Sequence, residues 1–389
     1  SLRRLYDLNK NIIDDAVVIF FPGPSSVTGE DVFEIHTHGS LIIEKKIYDC
    51  LSTRASFRIA NRGEFTKRAF LNGKIDLTQA EGINDLINAE TENQFKSSIS
   101  HYQGELYEKL ILWRSDVIFL LSKLEALIDF SDEELPQEIK AVFKKKLSNL
   151  IKEMKNSIKS SNYGVRIRNG FIITIIGKPN VGKSSLINYL SNKKIAIVTE
   201  ESGTTRDILE VLLDFDGFPV ILNDTAGLRK TNSKVEKIGI NRALKKAEAS
   251  DIILILSDCG DFSIPEVKSG AKKILVHTKS DLNKHHNDDW PKISVKKQKG
   301  IKELIKIIVD YLKILAPKDN VLLTRKRHVQ GVKRAVTALK QISTINLTQN
   351  PELAAEDLRI AATEIGKITN IIDVEEILDD IFNNFCIGK

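Results

Sequence analysis

The run Gly177-Lys178-Pro179-Asn180-Val181-Gly182-Lys183-Ser184 has the spacing G-x-x-x-x-G-K-[ST], which belongs to phosphate chemistry. Its glycines let the backbone turn tightly enough for the N–H groups to face the β- and γ-phosphates of a nucleotide. Lys183 brings a positive charge to the same phosphates, and the Ser184 hydroxyl can ligate Mg2+. The run follows the β-rich Ile172–Ile176 and precedes the helical Ser185–Leu190. That strand–loop–helix order is the context in which the pattern binds a nucleotide.

Three shorter motifs bear on which nucleotide. In Gly203-Thr204-Thr205-Arg206-Asp207 a threonine can reach Mg2+ and sense the γ-phosphate. Asp224-Thr225-Ala226-Gly227 closes the third β-run: Asp224 can hold the Mg2+ shell, and the Gly227 N–H can meet the γ-phosphate. Thr278-Lys279-Ser280-Asp281 closes the fifth, with Thr278 standing where asparagine is more usual. A carboxylate there can accept both hydrogens of guanine's N1 and N2 edge, which adenine lacks. Ser294 in the next loop would help hold the base. Four motifs in this order read as a GTPase domain, and Asp281 argues against an ATPase.

The elements that must carry these loops are short β-rich runs alternating with helices. The runs are Ile172–Ile176, Leu209–Phe215, Val220–Leu222, Ile252–Leu256, Ile274–His277 and Ile293–Val295, with a hairpin turn at Asp216-Gly217. Such alternation implies a mostly parallel α/β sheet. Residues 1–75 read as mixed α/β. Ala16–Phe21 is a strand, Pro22-Gly23-Pro24 breaks it and Val32–His38 resumes it. Leu41–Leu51 is helical, and Phe57–Ala60 is a further short strand. From Leu77 to Ser161 apolar residues recur at helical spacing, as in Leu106, Leu110, Trp113, Val117 and Leu121. The texture changes near Gly164, and after Pro317 the chain reads as helical to its end. The expected fold class is multidomain, α/β plus all-α, over four stretches: 1–75, 76–165, 166–317 and 318–389. The α/β unit is inserted between two helical segments that pack as one domain.

Composition agrees with more than one core: 389 residues, 42% hydrophobic and 28% charged. No stretch approaches the roughly 18 uncharged apolar residues of a membrane span. The net charge of +6 allows nucleic-acid binding without arguing for it. Cys50, Cys259 and Cys386 are too few and scattered for a disulfide framework or a zinc site, so a reducing cytosol fits best. The chain opens on Ser1 rather than Met, with no signal-peptide pattern, and a truncated N-terminus is expected.

Beyond the general motifs, the chain resembles the MnmE (TrmE) family of tRNA-modification GTPases, within the TrmE-Era-EngA-like class. The resemblance rests on Pro179–Asn188, Val198–Asp207, Asp224–Arg229 and Val235–Ile240. More diagnostic still are Gly63–Leu77 and the terminal Phe385-Cys386-Ile387-Gly388-Lys389. It implies a Ras-like P-loop GTPase domain inserted into a helical domain, after an N-terminal domain similar to tetrahydrofolate-binding domains that forms a constitutive dimer. The GTP-binding set it implies is Asn180, Val181, Gly182, Lys183, Ser184, Ser185, Thr199, Thr204, Thr205, Asp224, Thr225, Ala226, Gly227, Thr278, Lys279, Asp281 and Ser294, with Mg2+ on Ser184 and Thr205.

Leu228 follows Gly227, where Ras-type GTPases place a glutamine that orients the attacking water. Leucine cannot hydrogen-bond. The resemblance implies Glu236 as the catalytic substitute, although composition alone reads it as a solvated helix-face glutamate. It also implies K+ activation through Asn180, Thr199, Glu201 and Thr204, the cation taking the electrostatic role of an arginine finger. Glu201 would contribute its backbone carbonyl. In the N-terminal domain the matching folate positions are Glu34 and Lys74, joined by the terminal Lys389. Arg62 replaces the family's usual proline before Gly63, and an arginine of this pocket lies in the stretch expected to be missing.

The implied activity is that of a homodimeric, K+-dependent GTPase. With the FAD-dependent MnmG partner it modifies C5 of the tRNA wobble uridine, using a one-carbon tetrahydrofolate, in the bacterial cytoplasm; a mitochondrial location is the alternative. The competing reading is a ribosome- or RNA-assembly GTPase switch that needs an external activator. A KH module would need a Gly-x-x-Gly loop, and no two of the 21 glycines are three apart. His36 and His38 share a strand face but lack a third ligand. Cys386 reads either as a buried structural thiol or as a neighbour of the modification chemistry. Lys144-Lys145-Lys146 and Arg325-Lys326-Arg327-His328 read as solvated helix faces able to touch tRNA phosphates.

Overall fold

The computed structural model describes residues 1–54, 56–129, 137–192, 210–224, 248–262, 270–282, 290–317, 320–347 and 349–369. The N-terminal part is a three-stranded antiparallel sheet in the order β1-β2-β3: β1 Leu2–Tyr6, β2 Ile12–Phe21 and β3 Val32–His36. Two helices follow, α1 Leu41–Ser52 and α2 Glu64–Leu71. β1 has no counterpart in the sequence reading, where its two arginines obscure the strand; it pairs with β2 from Leu2↔Val17 onward. The expected strand at Phe57–Ala60 does not form. That stretch has no strand partner, and Phe57 and Ile59 both face solvent.

Four helices come next: α3 Leu77–Ile87, α4 Glu92–Tyr102, α5 Glu105–Asp129 and α6 Gln137–Asn169. Asp76 and Thr91 open α3 and α4 as N-caps, each in a reciprocal capping box with Gln79 and Gln94. α6 runs past Gly164, where the sequence texture suggested a change. A Cβ on Gly164 would lie 2.6 Å from Val321 Cγ1 and 3.0 Å from the Leu323 carbonyl oxygen. That glycine therefore marks a close approach of two chain segments rather than the end of a helix.

The second sheet has the order β5-β6-β4-β7-β8, from β4 Phe171–Gly177, β5 Glu210–Phe215, β6 Phe218–Asp224, β7 Ile252–Ser257 and β8 Lys272–His277. Only the edge strand β5 is antiparallel. Every residue of β7 is buried, as both faces of a central parallel strand must be. α7 Lys183–Ser191 and α8 Ile301–Leu315 pack on this sheet. The expected strand at Ile293–Val295 reduces to isolated bridges, His277 with Lys292 and Ser294 with Lys299.

The chain then returns through α9 Lys326–Ile342 and α10 Pro351–Thr369. One apolar core joins α5, α6, α9 and α10 around Leu110, Trp113, Met154, Leu339 and Leu358. A separate core fills the second sheet, with Phe171, Ile173, Leu222, Leu254 and Ile308. The α/β unit is thus bracketed in sequence by helices that share one core.

Candidate nucleotide site

Because β4, β6, β7 and β8 run parallel, the loops after them open at one edge of the sheet, the edge where open α/β sheets bind ligands. Gly177–Gly182 links β4 to α7. Gly177 sits so close to β7 that a Cβ there would lie 2.6 Å from the Leu256 carbonyl oxygen. Gly182 caps α7 with φ 104°, and Asn180 takes φ 62°. Asparagine tolerates that left-handed region better than most residues. The first intrahelical bond runs from Leu186 N–H to the Gly182 carbonyl at 3.0 Å. The N–H groups of Lys183, Ser184 and Ser185 in the first turn are then left for an anion. Lys183 Nζ folds over this loop and donates to the carbonyls of Gly177 (2.7 Å) and Lys178 (2.8 Å). Ser184 and Ser185 are exposed, and Val181 is buried.

The loop after β8 is joined to the phosphate loop. Thr278 Oγ1 donates to the Val181 carbonyl at 2.7 Å. Thr278 thus spends its hydroxyl on positioning at a place where asparagine is more usual. Lys279 adopts φ 52°, and its ammonium pairs with Asp258 at 2.8 Å. Ser294 Oγ donates to Asp281 Oδ1 at 2.6 Å, and this bond holds the Asp281 carboxyl below its usual range. The carboxylate is fixed as an acceptor, which is what guanine's two donors need. The structure therefore brings Asn180, Val181, Gly182, Lys183, Ser184, Ser185, Thr278, Lys279, Asp281 and Ser294 to one edge. Asp224 ends β6 at the same edge, its backbone opposite Ile175. Thr199, Glu201, Thr204, Thr205, Thr225, Ala226, Gly227 and Glu236 lie outside the described residues, as do Cys386 and Lys389.

Two acidic residues that the sequence did not single out belong to this edge. Asp258 pairs with Lys279, and Asp261 pairs with Lys178, raising the lysine's affinity for its proton. Both follow β7, in a loop without motif character.

The N-terminal candidates Glu34 and Lys74 each have a local partner. Glu34 on β3 pairs with His36 at 2.9 Å, and Lys74 donates to the Pro24 carbonyl at 2.9 Å. His38 pairs with Asp14 at 2.8 Å, so the two histidines hold separate carboxylates. Among the described residues, no cluster of His, Cys, Asp and Glu could hold a metal ion, and no helix is long and apolar enough to cross a membrane.

The run Arg325-Lys326-Arg327-His328 needs correction. Arg327 forks onto both oxygens of Glu81 at 2.7 Å, and His328 Nε2 meets Glu81 Oε2 at 2.8 Å. Glu81 and His328 are 2% and 1% exposed. Three of the four residues thus face inward rather than toward solvent; Lys326 is exposed and has no such partner among the described residues. Of the other run, Lys146 pairs with Asp116 at 2.6 Å, whereas Lys144 and Lys145 are exposed.

The "GTP-binding protein TrmE N-terminus" family model matches residues 1–74, and the "MnmE helical domain" model matches residues 77–386. The chain belongs to the MnmE family of tRNA modification GTPases. The proteins named tRNA modification GTPase MnmE from Anaplasma marginale and Pelagibacter ubique are both 42% identical to it. Each alignment spans 100% of this chain, and 89% and 90% of the respective relatives. The Brucella anthropi protein of the same name is also 42% identical, over 98% of this chain and 87% of that protein.

Proposed function

We propose that this chain is a GTP hydrolase acting in tRNA wobble-uridine modification. The observation that carries this reading is the bond between Thr278 and the Val181 carbonyl. It locks the loop bearing the guanine acceptor Asp281 to the loop bearing Lys183 and Ser184. One rigid edge then addresses base and phosphates together. Ser184 and Thr205 would hold Mg2+, whose charge offsets that of the phosphates. Asn180, with Thr199, Glu201 and Thr204, would hold K+ and supply positive charge where an arginine finger otherwise acts. The left-handed backbone that turns Asn180 out of the loop suits that role. Glu236 would orient the attacking water in place of the glutamine that Leu228 displaces.

The wider reading has four parts. The domain spans are 1–75, 76–165, 166–317 and 318–389. A second copy of the chain covers the N-terminal sheet, which leaves Leu2, Phe20 and Phe33 exposed. The FAD-dependent MnmG protein is the partner with which a C5 substituent is installed, the carbon coming from a one-carbon tetrahydrofolate near Glu34, Lys74 and Lys389. The tRNA phosphates meet the exposed lysines of α6, and the protein works in the bacterial cytoplasm, GTP hydrolysis driving its conformational change.

The test is the GTP hydrolysis rate in K+ against Na+ at matched ionic strength, with Asn180→Ala and Glu236→Ala alongside. The expected result is strong K+ stimulation that Asn180→Ala abolishes, with Glu236→Ala impaired in either salt. Equal slow rates in both salts, unchanged in both variants, would refute the cation-and-glutamate mechanism.

A further inference from the structure

The inserted α/β unit is connected to the helical core by two chain segments, and both are held by one carboxylate. Arg168 is the penultimate residue of α6, just before the chain turns at Gly170 into β4 and the phosphate loop. Its Nε donates to Asp85 Oδ1 and Oδ2 at 2.9 and 3.1 Å. Arg325 precedes α9, where the chain returns from the α/β unit. Its Nη2 donates to the same Asp85 Oδ1 at 2.8 Å and to the Glu81 carbonyl at 3.3 Å. Asp85 sits on α3, whose capped start follows directly on the N-terminal domain. Glu81, one turn earlier on α3, is clamped by Arg327 and His328. α3 is therefore tied at two successive turns to the segments that flank the nucleotide-binding unit.

A second connection runs from the site's own loops. β5 and β6 form a hairpin whose open end carries the chain on toward both γ-phosphate-sensing motifs, 203–207 before it and 224–227 at its close. Its closed end rests on α4: Asn93 N–H donates to the Gly217 carbonyl at 3.2 Å. One residue on, Gln94 Nε2 donates to the Arg168 carbonyl at 3.1 Å. A polar cavity of about 140 Å³ lies beside the clasp, bounded by Asp85, Gln94, Arg168 and Thr324 among others. The Thr324 hydroxyl on its wall is buried without a hydrogen-bond partner among the described residues. The clasp is thus bordered by a cavity with polar walls rather than by packed apolar side chains.

We propose that Asp85 is a positioning residue that couples the nucleotide state of the α/β unit to the helical and N-terminal domains, through its shared grip on Arg168 and Arg325. The proposal deepens the functional reading above and rests on it. Asp85 touches neither nucleotide nor water, so its loss should separate hydrolysis from its consequence.

The distance measurement uses the whole chain with Cys50, Cys259 and Cys386 replaced by serine, whereas GTP affinity, kcat and modification rate are read with the three native cysteines in place. Spin labels are placed at Leu112→Cys on α5 and Ile314→Cys on α8, both exposed positions on either side of the joint. Labelled chains are diluted into unlabelled ones so that only distances within one chain are read. The interlabel distance is measured with GDP and with a non-hydrolysable GTP analogue, together with GTP affinity, kcat and tRNA modification rate. In Asp85→Asn, GTP affinity and basal kcat should stay within about twofold of the parent. The nucleotide-dependent distance change should be lost, and the modification rate should fall at least tenfold. Arg168→Gln, which spares the Arg325 contact, should behave the same way and guards against a folding defect in the first variant. An unaltered distance change in both variants overturns the proposal. A parent chain whose distance does not respond to nucleotide overturns the functional reading beneath it.

Discussion

Replacing His328 by glutamine should flatten the acid side of the stability profile of the helical domain. His328 lies in contact with Glu81 from α3, beside Arg327 and Arg325, with His101 of α4 nearby. Burial, only partly offset by the attraction of Glu81, pushes its pKa down to about 3. Glu81 behaves differently. Burial opposes its ionisation, but attraction from Arg327, His328 and Arg325 outweighs this and holds its carboxyl well below the usual range. The neutral imidazole therefore donates Nε2–H to an ionised carboxylate. An unfolded histidine titrates near 6.5, so below that pH only the unfolded chain takes up this proton. Stability is then greatest above about pH 6.5 and falls by about 1.4 kcal/mol per pH unit toward pH 3. Between pH 7 and pH 5 the loss from this one group is about 2 kcal/mol. Glu81 changes stability with the same sign, but in a lower window, so this range isolates the histidines. Burial also depresses His101, whose contribution is common to both proteins and cancels in the comparison. The assay is urea unfolding at pH 7 and pH 5, read by Trp113 in the helical core. Trp290, in the other unit, is replaced by phenylalanine in both proteins. Glutamine keeps a donor toward Glu81 but cannot titrate. Wild type should lose about 2 kcal/mol more than His328→Gln over this interval. Parallel losses in the two proteins would refute a buried neutral imidazole.

Three further outcomes follow from the site and the surface. Thr278→Val leaves the Val181 carbonyl without its donor and should weaken GTP binding by about 1 kcal/mol, roughly fivefold; Thr278→Asn should stay closer to wild type in the same fluorescence titration. Asp281→Asn replaces one acceptor oxygen with a donor opposite guanine, and GTP affinity should fall by about 10²-fold or more; an unchanged affinity would remove Asp281 from the base site. On α6 there are nine lysines and arginines against two glutamates, a net charge of +7 that exceeds the whole chain's +6. Reversing the exposed Lys144, Lys152 and Lys155 to glutamate should weaken tRNA binding and reduce the slope of log K against log salt by roughly 2. An unchanged slope would place the RNA elsewhere.

The phosphate loop was legible because its chemistry is contiguous: eight successive residues carry the turn, the charge and the hydroxyl, between a strand and a helix that announce themselves by periodicity. The guanine loop was legible for the same reason. Its link to the phosphate loop was not, since Thr278 and Val181 are 97 residues apart and a hydroxyl has no preferred partner. β1 was missed because Arg3 and Arg4 stand within it, and a strand in an exposed sheet can carry such residues without cost. Phe57–Ala60 carries strand-forming residues, but it pairs with neither edge strand, β1 or β3, of the N-terminal sheet.

The charged run before and into α9 shows what a physical reading of pattern could still have recovered. His328, Val332, Ala335, Leu339 and Ile342 are all buried, and they recur at three- and four-residue spacing. His328 therefore belongs to the apolar stripe of the helix, and Arg325 stands one turn earlier in the same register. A basic residue on an apolar stripe must find an anion or leave the core. The sequence could demand that anion without naming it, because Glu81 and Asp85 lie more than 200 positions away. Such buried pairs add little net stability over well-packed apolar residues, since desolvation consumes most of the attraction. What they impose is direction. A leucine in place of Asp85 would be indifferent to which neighbour it touched, whereas the carboxylate demands a donor along each lone-pair direction. Two arginines from the two ends of the inserted unit meet that demand only in a narrow range of orientations. The ionic clasp is thus better suited to specifying how the nucleotide-binding unit sits on its helices than to holding it there.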